Sequence, residues 1–208
     1  MLRSTLLAAL ALLASGPAAA QAGRYSVSGT NPGGSGGYSG ALTVSTQGEA
    51  YRVVWETGGA PIEGIGVVVN DVLATAYGGD CGIVAYTPAD DGYEAVWAAM
   101  GGRALGTEHA EETGPEGAYA VSGTNPGSEG VYTGTLVMAD DGNATAVRWD
   151  VGGSVYTGIG LAVDDVLGVA YGAETCGVAV YRMAEGALDG VWTAAGASGI
   201  GTETATPY

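Results

Sequence analysis

The nonapeptide YSVSGTNPG at residues 25–33 recurs as YAVSGTNPG at residues 119–127, an offset of 94 positions. Further matches follow along the chain: Tyr38 with Tyr132, Trp55 with Trp149, Ala76 with Ala170 and, after one inserted residue, Cys81 with Cys176, Trp97 with Trp192 and Glu108 with Glu203. A match of this length and order indicates a duplicated unit of about 85 residues.

The duplication predicts two tandem homologous domains, residues 21–109 and residues 118–208. Between them, residues 110–117 (AEETGPEG) are polar and rich in turn-forming residues, which is typical of a linker. Similar domains joined in one chain favour an internal pseudo-dimer.

Each copy consists of short segments that alternate apolar and polar residues, separated by turn residues. In the first copy this pattern predicts strands at 24–28, 37–45, 50–56, 61–69, 72–77, 82–87, 93–99 and 104–109. The pairs Asn70–Asp71 and Asp164–Asp165 lie between apolar runs, as two-residue hairpin loops do. We therefore predict an all-β protein of two antiparallel meanders, each closed into a small eight-stranded barrel.

The N-terminus has the features of a secretory signal peptide, which we assign to residues 1–20. Arg3 precedes an apolar run of about 10 residues, and Ala18–Ala20 supplies a small-residue cleavage site. That run is too short to span a bilayer, and no later segment is long and apolar enough to do so. The protein is expected to be secreted or periplasmic, in a bacterium.

The charge balance excludes several classes of function. The chain has 22 acidic residues against 6 arginines and no lysine, with a formal net charge of −16. Nucleic-acid binding needs a basic surface for the phosphates, and catalysis by histidine or lysine has one His and no Lys to use. The hydrophobic fraction of 47% nevertheless allows a packed core.

The two cysteines, Cys81 and Cys176, occupy equivalent positions in the two copies. In an oxidising compartment, we expect them to form an intramolecular disulfide that clamps the copies together. Two buried thiols, or disulfides between chains, remain the alternatives. One His and two isolated cysteines supply too few ligands for a metal site, and no cofactor motif is present.

Two interpretations apply to the tryptophans. Trp55, Trp97, Trp149 and Trp192, with the matching tyrosines, are candidates for a pocket that binds a sugar, a peptide or another small ligand. Alternatively, they fill the core of a chain that has no phenylalanine.

Acidic residues also recur in both copies, as Glu56/Asp150, Asp71/Asp165, Asp90/Glu185, Glu94/Asp189 and Glu108/Glu203. Paired carboxylates perform glycoside hydrolysis in other proteins, and acidic loops bind Ca²⁺. Most of these acids fall at predicted turns, where solvation and backbone hydrogen bonds explain them. Glu108 and Glu203, at predicted strand ends, have no such explanation. His109 is expected to be a solvated residue.

The repeated string Tyr-x-Val-x-Gly-x-Asn-Pro, Tyr-x-Gly, Trp, Gly-Ile-Gly, Ala-Tyr-Gly, Gly-x-Trp, Gly-Thr-Glu is similar to that of a group of secreted bacterial tandem-repeat β-proteins. Some of those proteins carry a fibronectin-binding label, so the resemblance implies export and an extracellular protein as partner. The regular succession of short strand patterns, as in Tyr38–Leu42, also resembles that of the avidin and lipocalin meander barrels. Residues 155–160 resemble a MORN repeat.

Together these features favour an exported, non-enzymatic binding or adhesion protein, with an extracellular protein, a glycan or a small apolar ligand as target. The alternatives are a structural protein of the cell envelope or surface and a carboxylate-based hydrolase.

Overall fold

The computed structural model describes residues 22–114, 117–172 and 175–208. The predicted signal peptide, residues 1–20, lies outside the described residues. Within the described ranges, no helix is long and apolar enough to cross a membrane.

The described chain consists almost entirely of β-strands, and the eight strands predicted for the first copy are confirmed. The sixteen strands are β1 (Gly23–Thr30), β2 (Gly37–Gln47), β3 (Ala50–Glu56), β4 (Ile62–Val69), β5 (Val72–Tyr77), β6 (Gly82–Ala89), β7 (Gly92–Ala99), β8 (Gly106–Glu112), β9 (Ala118–Thr124), β10 (Val131–Asp141), β11 (Ala144–Val151), β12 (Ser154–Val163), β13 (Val166–Tyr171), β14 (Gly177–Ala184), β15 (Ala187–Ala194) and β16 (Gly201–Pro207). A single 3₁₀ turn, Pro32–Gly34, follows β1.

The predicted hairpin loops between β4 and β5 and between β12 and β13 are also present. Asn70 and Asp71 both have positive φ, 48° and 58°, which is the backbone of a type I′ turn. Asp164 in the equivalent loop has φ 53°. Asn and Asp tolerate this conformation better than other non-glycine residues, which explains their position in the sequence.

The strands close into two eight-stranded antiparallel barrels, which confirms the predicted fold class. One barrel, called here the continuous barrel, contains β6 to β13 in an unbroken meander. The other, the discontinuous barrel, contains β1 to β5 together with β14 to β16. In the discontinuous barrel, closure pairs β1 with β16. Because both sheets are closed, neither has an open edge among the described strands.

The barrels therefore do not coincide with the repeats at 21–109 and 118–208, because each barrel takes three strands from the other copy. β5 pairs with β14, for example Ala74 with Val180, where a barrel made from one copy would pair β5 with β6. In the same way β13 pairs with β6. The equivalent strands β6 (GIVAYTPA) and β14 (GVAVYRMA) are similar in sequence, so either is a suitable partner for β5.

The predicted linker at 110–117 is shorter than expected, and it connects two strands of the same barrel. Residues 110–112 continue β8, and Ala110 is fully buried in the barrel interior. The turn that follows is closed by a 3.0 Å hydrogen bond from the Thr113 N–H to the Ala118 carbonyl. β8 and β9 then pair as antiparallel neighbours within the continuous barrel.

The two similar barrels pack against each other through an apolar core, consistent with an internal pseudo-dimer. β5 is buried on both faces: Leu73 points into its own barrel, while Ala74 and Ala76 belong to the core between the barrels. β13 at the equivalent position is so close to β5 that a Cβ on Gly168 would lie 2.9 Å from the Cβ of Ala74. The small residues at this point let the strands approach.

The predicted disulfide between Cys81 and Cys176 is present, with an S–S distance of 2.10 Å and a Cα–Cα distance of 5.8 Å. Cys81 immediately precedes β6, and Cys176 immediately precedes β14. At β6 the first copy passes from the discontinuous barrel into the continuous barrel, and at β14 the second copy passes from the continuous barrel into the discontinuous barrel. The disulfide thus joins the two crossover segments, at the place where the chain passes between barrels.

Candidate functional site

Each barrel contains a pocket lined by aromatic side chains, and the four predicted tryptophans are divided between the two pockets. Trp55 and Trp192 line the pocket of the discontinuous barrel, which has a volume of about 270 Å³. Trp97 and Trp149 line that of the continuous barrel, at about 310 Å³. Trp55 and Trp149 are 6% and 4% exposed, so they are part of the barrel core as well as of the pocket lining.

The two pockets are built from equivalent residues. Six lining positions carry the same residue in both barrels: Asn31/Asn125, Tyr38/Tyr132, Trp55/Trp149, Tyr77/Tyr171, Trp192/Trp97 and Glu203/Glu108. Because the strands are exchanged, each pocket takes four of these residues from one copy and two from the other. Neither copy alone supplies a complete set to its own barrel.

A buried glutamate lies at the centre of the pocket in the discontinuous barrel. Glu203 is only 3% exposed. Its Oε2 accepts a 2.7 Å hydrogen bond from the Tyr38 hydroxyl. Its Oε1 accepts one of 2.7 Å from the Tyr181 hydroxyl and one of 3.1 Å from the indole N–H of Trp55. These three donors satisfy the carboxylate without any basic side chain.

Glu108 repeats this arrangement in the continuous barrel, where it is 4% exposed. The hydroxyls of Tyr86 and Tyr132 donate to its two oxygens, the latter over 2.9 Å, and the Trp149 N–H donates over 3.1 Å. The same three donor types therefore hold both carboxylates. This explains why Glu108 and Glu203 end their repeated Gly-Thr-Glu segments without lying in a turn.

The tyrosines around the two glutamates resist ionisation. Burial raises the pKa of Tyr38 and Tyr181 well above the usual range of tyrosine, and the negative charge of Glu203 adds to both shifts. Burial and Glu108 raise the pKa of Tyr86 and Tyr132 in the same direction. The hydroxyls therefore stay protonated at neutral pH and remain hydrogen-bond donors.

Neighbouring rings in the discontinuous barrel are steeply inclined to each other. Tyr38 contacts Trp192 at 6.0 Å between centroids with an interplanar angle of 73°, and Tyr77 contacts Trp192 at 6.4 Å and 64°. Trp55 contacts Tyr77 at 5.7 Å and 60°. Such edge-to-face contacts stabilise the rings against each other. The four rings therefore form one connected aromatic lining of the pocket.

Glycines on adjacent strands provide the space that these rings occupy. A Cβ on Gly177 would lie 2.1 Å from Cζ of Tyr77, which is directly opposite it in the sheet. Other ring and glycine pairs with the same close approach are Tyr38 with Gly29, Tyr181 with Gly190, Trp192 with Gly201, Tyr171 with Gly82, Tyr132 with Gly123 and Trp97 with Gly106. Many strand glycines are therefore part of the site, because any side chain there would push a ring away.

The other repeated acids are not brought into the pockets. Among the described residues, Glu108 and Glu203 are the single carboxylates in the lining of their respective pockets. Glycoside hydrolysis by two carboxylates requires both within one site, about 5–10 Å apart. Glu56 forms an exposed ion pair with Arg24, and Glu94 contacts Nδ1 of His109 at 2.8 Å.

His109 is half-buried and has specific partners, in contrast to the solvated residue expected from the sequence. Besides Glu94, its Nε2 lies 3.5 Å from Asp91. Across the described ranges, no group of three or more His, Cys, Asp or Glu residues is placed to hold a metal ion.

Sequence reasoning identified the tryptophans and singled out the two glutamates, but it did not connect them. The tyrosines that hold the glutamates, Tyr38, Tyr181, Tyr86 and Tyr132, were recognised only as matching repeats. Their signal was present in the sequence, since each recurs in both copies. Comparison of the chain with protein-family models, with curated proteins and with solved structures finds no match in any of the three.

Proposed function

We propose that this is an exported, non-enzymatic binding protein that holds one small ligand in each barrel. The observation that carries the proposal is the pair of pockets with the same six residues at equivalent positions, each assembled from strands of both copies. An eight-stranded barrel interior is just wide enough for side chains or one small ligand. Here part of that space is left open and is lined by rings around a single polar group, as ligand sites commonly are.

Export is part of this proposal. The disulfide between Cys81 and Cys176 supports it, because such bonds persist in oxidising compartments outside the cytoplasm. An adhesive role toward an extracellular protein is compatible with the same fold, but the concave, ring-lined pockets favour a small molecule as the primary ligand.

The proposal is tested by the stoichiometry of binding. A thermal-shift screen of small molecules identifies a ligand, and calorimetry with that ligand is expected to give two sites per chain. Trp192→Ala removes a wall from one pocket and Trp97→Ala the equivalent wall from the other, so each variant is expected to retain one site. The two variants serve as each other's control, because each leaves the second pocket unchanged.

The double variant is expected to bind no ligand while its far-UV circular dichroism stays that of a β-protein. A stoichiometry of two in both single variants would contradict the proposal, because the ligand would then bind elsewhere. A screen in which no compound stabilises the chain would favour the structural envelope protein.

A further inference from the structure

We infer that the ligand of each pocket is a small organic ammonium ion, either a protonated or a quaternary amine. This inference rests on the proposed function, since it names the chemical class that the same two pockets select. It is argued from the hydrogen-bond balance around Glu203 and Glu108, from the charge of the pocket and from the rings that line it.

The hydrogen-bond donors of the discontinuous barrel's rings are already used within the protein. The hydroxyls of Tyr38 and Tyr181 and the N–H of Trp55 all donate to Glu203. The Tyr77 hydroxyl donates to the Thr193 carbonyl over 3.2 Å, and the Trp192 N–H donates to the Thr30 carbonyl over 3.1 Å. What these groups still offer to a ligand is lone pairs and aromatic faces, both of which attract positive charge. The continuous barrel differs in one donor: the buried N–H of Trp97 has no hydrogen-bond partner among the described residues, so the donor argument is carried by the discontinuous barrel.

The central carboxylate also has no cationic partner. Glu203 accepts one hydrogen bond each from Tyr38, Trp55 and Tyr181. None of the ion pairs among the described residues includes Glu203 or Glu108. In the part of the chain that the structure describes, no Arg or His lines either pocket. Because a buried charge is costly unless it is paired, a cation in the pocket would supply the missing partner.

The aromatic walls suit an alkylated ammonium group better than a metal ion. An ammonium group surrounded by methyl or methylene groups is stabilised by aromatic faces within about 6 Å and needs few direct hydrogen bonds. Calcium ions require six to eight oxygen ligands, whereas the lining of each pocket contains one carboxylate. The volumes of about 270 and 310 Å³ correspond to the smallest ordinary ligand sites.

The linings of the two pockets differ at the position of Ile62, which predicts an effect of this position on affinity. Ile62 in the discontinuous barrel is replaced by Tyr156 in the continuous barrel, where its ring lies 6.4 Å from that of Tyr171. At this position the continuous barrel has an aromatic side chain where the discontinuous barrel has an aliphatic one. We expect Ile62→Tyr to strengthen binding of the cation in the discontinuous barrel.

The test compares choline with its uncharged carbon analogue, in which a carbon atom replaces the ammonium nitrogen while size and shape are kept. All four tryptophans line the pockets, so their fluorescence reports occupancy in the full chain. Choline is expected to bind at least about tenfold more tightly than the analogue, since cation–π attraction and the carboxylate act only on the charged ligand.

Glu108→Gln combined with Glu203→Gln keeps the size of both side chains but removes both charges. This variant is expected to reduce the preference for choline to less than about threefold. If the double variant does not fold, Trp192→Leu and Trp97→Leu provide a second test without altering the carboxylates. Both substitutions are expected to weaken the binding of choline more than the binding of the analogue.

Equal binding of choline and its analogue, or binding of neither, would overturn the ammonium inference. The proposed function is judged separately, because it depends on whether any ligand binds with two sites per chain and loses one site in each tryptophan variant. A neutral ligand that passes that test would support the proposed function and refute the inference that the ligand is a cation.

Discussion

The hydroxyl of Tyr38 donates a 2.7 Å hydrogen bond to Glu203, although the two residues are 165 positions apart and belong to different copies of the repeat. The equivalent bond in the other barrel joins Tyr132 of the second copy to Glu108 of the first, over 2.9 Å. Each buried carboxylate is therefore held in part by the copy to which it does not belong. The strand exchange and the candidate site thus depend on each other.

Removing the Tyr38 hydroxyl tests how strongly this bond stabilises the fold. Tyr38→Phe leaves one oxygen of Glu203 without its donor, and hydrogen bonds to charged groups contribute about 1.5–3 kcal/mol. We expect a loss of that order in the free energy of unfolding, measured with urea. Tyr51→Phe is the matched control, because the Tyr51 hydroxyl has no hydrogen bond within the described part of the chain. A similar loss in both variants would contradict this role of the bond.

The strand exchange predicts specific contacts in solution. Ala74 pairs with Val180 of β14, and Ala170 pairs with Ile83 of β6. Nuclear Overhauser effects between these pairs are expected in a spectrum of the full chain. Contacts between Ala74 and Ala85 instead would show that each copy closes its own barrel.

The disulfide is expected to contribute to the stability of both barrels at once. Cys81 and Cys176 close a loop in the unfolded chain with a sequence separation of 95, and native disulfides typically contribute about 2–5 kcal/mol. We expect Cys81→Ala combined with Cys176→Ala to lower the free energy of unfolding by that amount, with a single transition for both barrels. Two separated transitions would show that the barrels unfold independently.

Alkaline pH is expected to unfold the protein. In the folded state the pKa of Tyr38, Tyr77, Tyr86, Tyr132, Tyr171 and Tyr181 is raised by burial, while in the unfolded chain tyrosine ionises near its ordinary pKa of about 10. The stabilisation from these groups is complete below pH 10 and decreases as pH rises above it, because the unfolded state loses protons first.

The measurement is phenolate absorbance, followed together with circular dichroism as pH is raised. The buried tyrosines are expected to ionise in the same transition in which the β-structure is lost. Smooth ionisation of all twelve tyrosines near pH 10 with the fold intact would contradict the prediction.

Gly177→Ala tests the role of glycine in making space for a ring. The three atoms nearest to the added Cβ all belong to the ring and hydroxyl of Tyr77, so that ring is expected to move out of the pocket. Overpacking of this kind costs about 1–3 kcal/mol, measurable by urea unfolding, and it should weaken ligand binding in the discontinuous barrel alone. Gly59→Ala is the control, because a Cβ there meets no atom within 4 Å. Unchanged stability and binding in Gly177→Ala would refute this role.

The sequence by itself indicated the strands and the duplication, and it predicted closure into eight-stranded barrels; the pairing of Cys81 with Cys176 was expected, with two buried thiols or disulfides between chains as alternatives. These features follow from local patterns: period-two alternation, turn residues such as Asn70–Asp71 and one cysteine in each copy. The four tryptophans and two glutamates were also identifiable, because each recurs in both copies.

Only the tertiary structure decided which strands share a barrel and which residues share a pocket. β6 and β14 have nearly the same pattern of side chains, so pairing β5 with either one satisfies the same local preferences. The choice depends on how the whole chain packs, including the apolar core between the barrels. For the same reason, the distances that join Glu203 to Tyr38 and Trp55 follow from the exchanged pairing and not from any spacing along the chain.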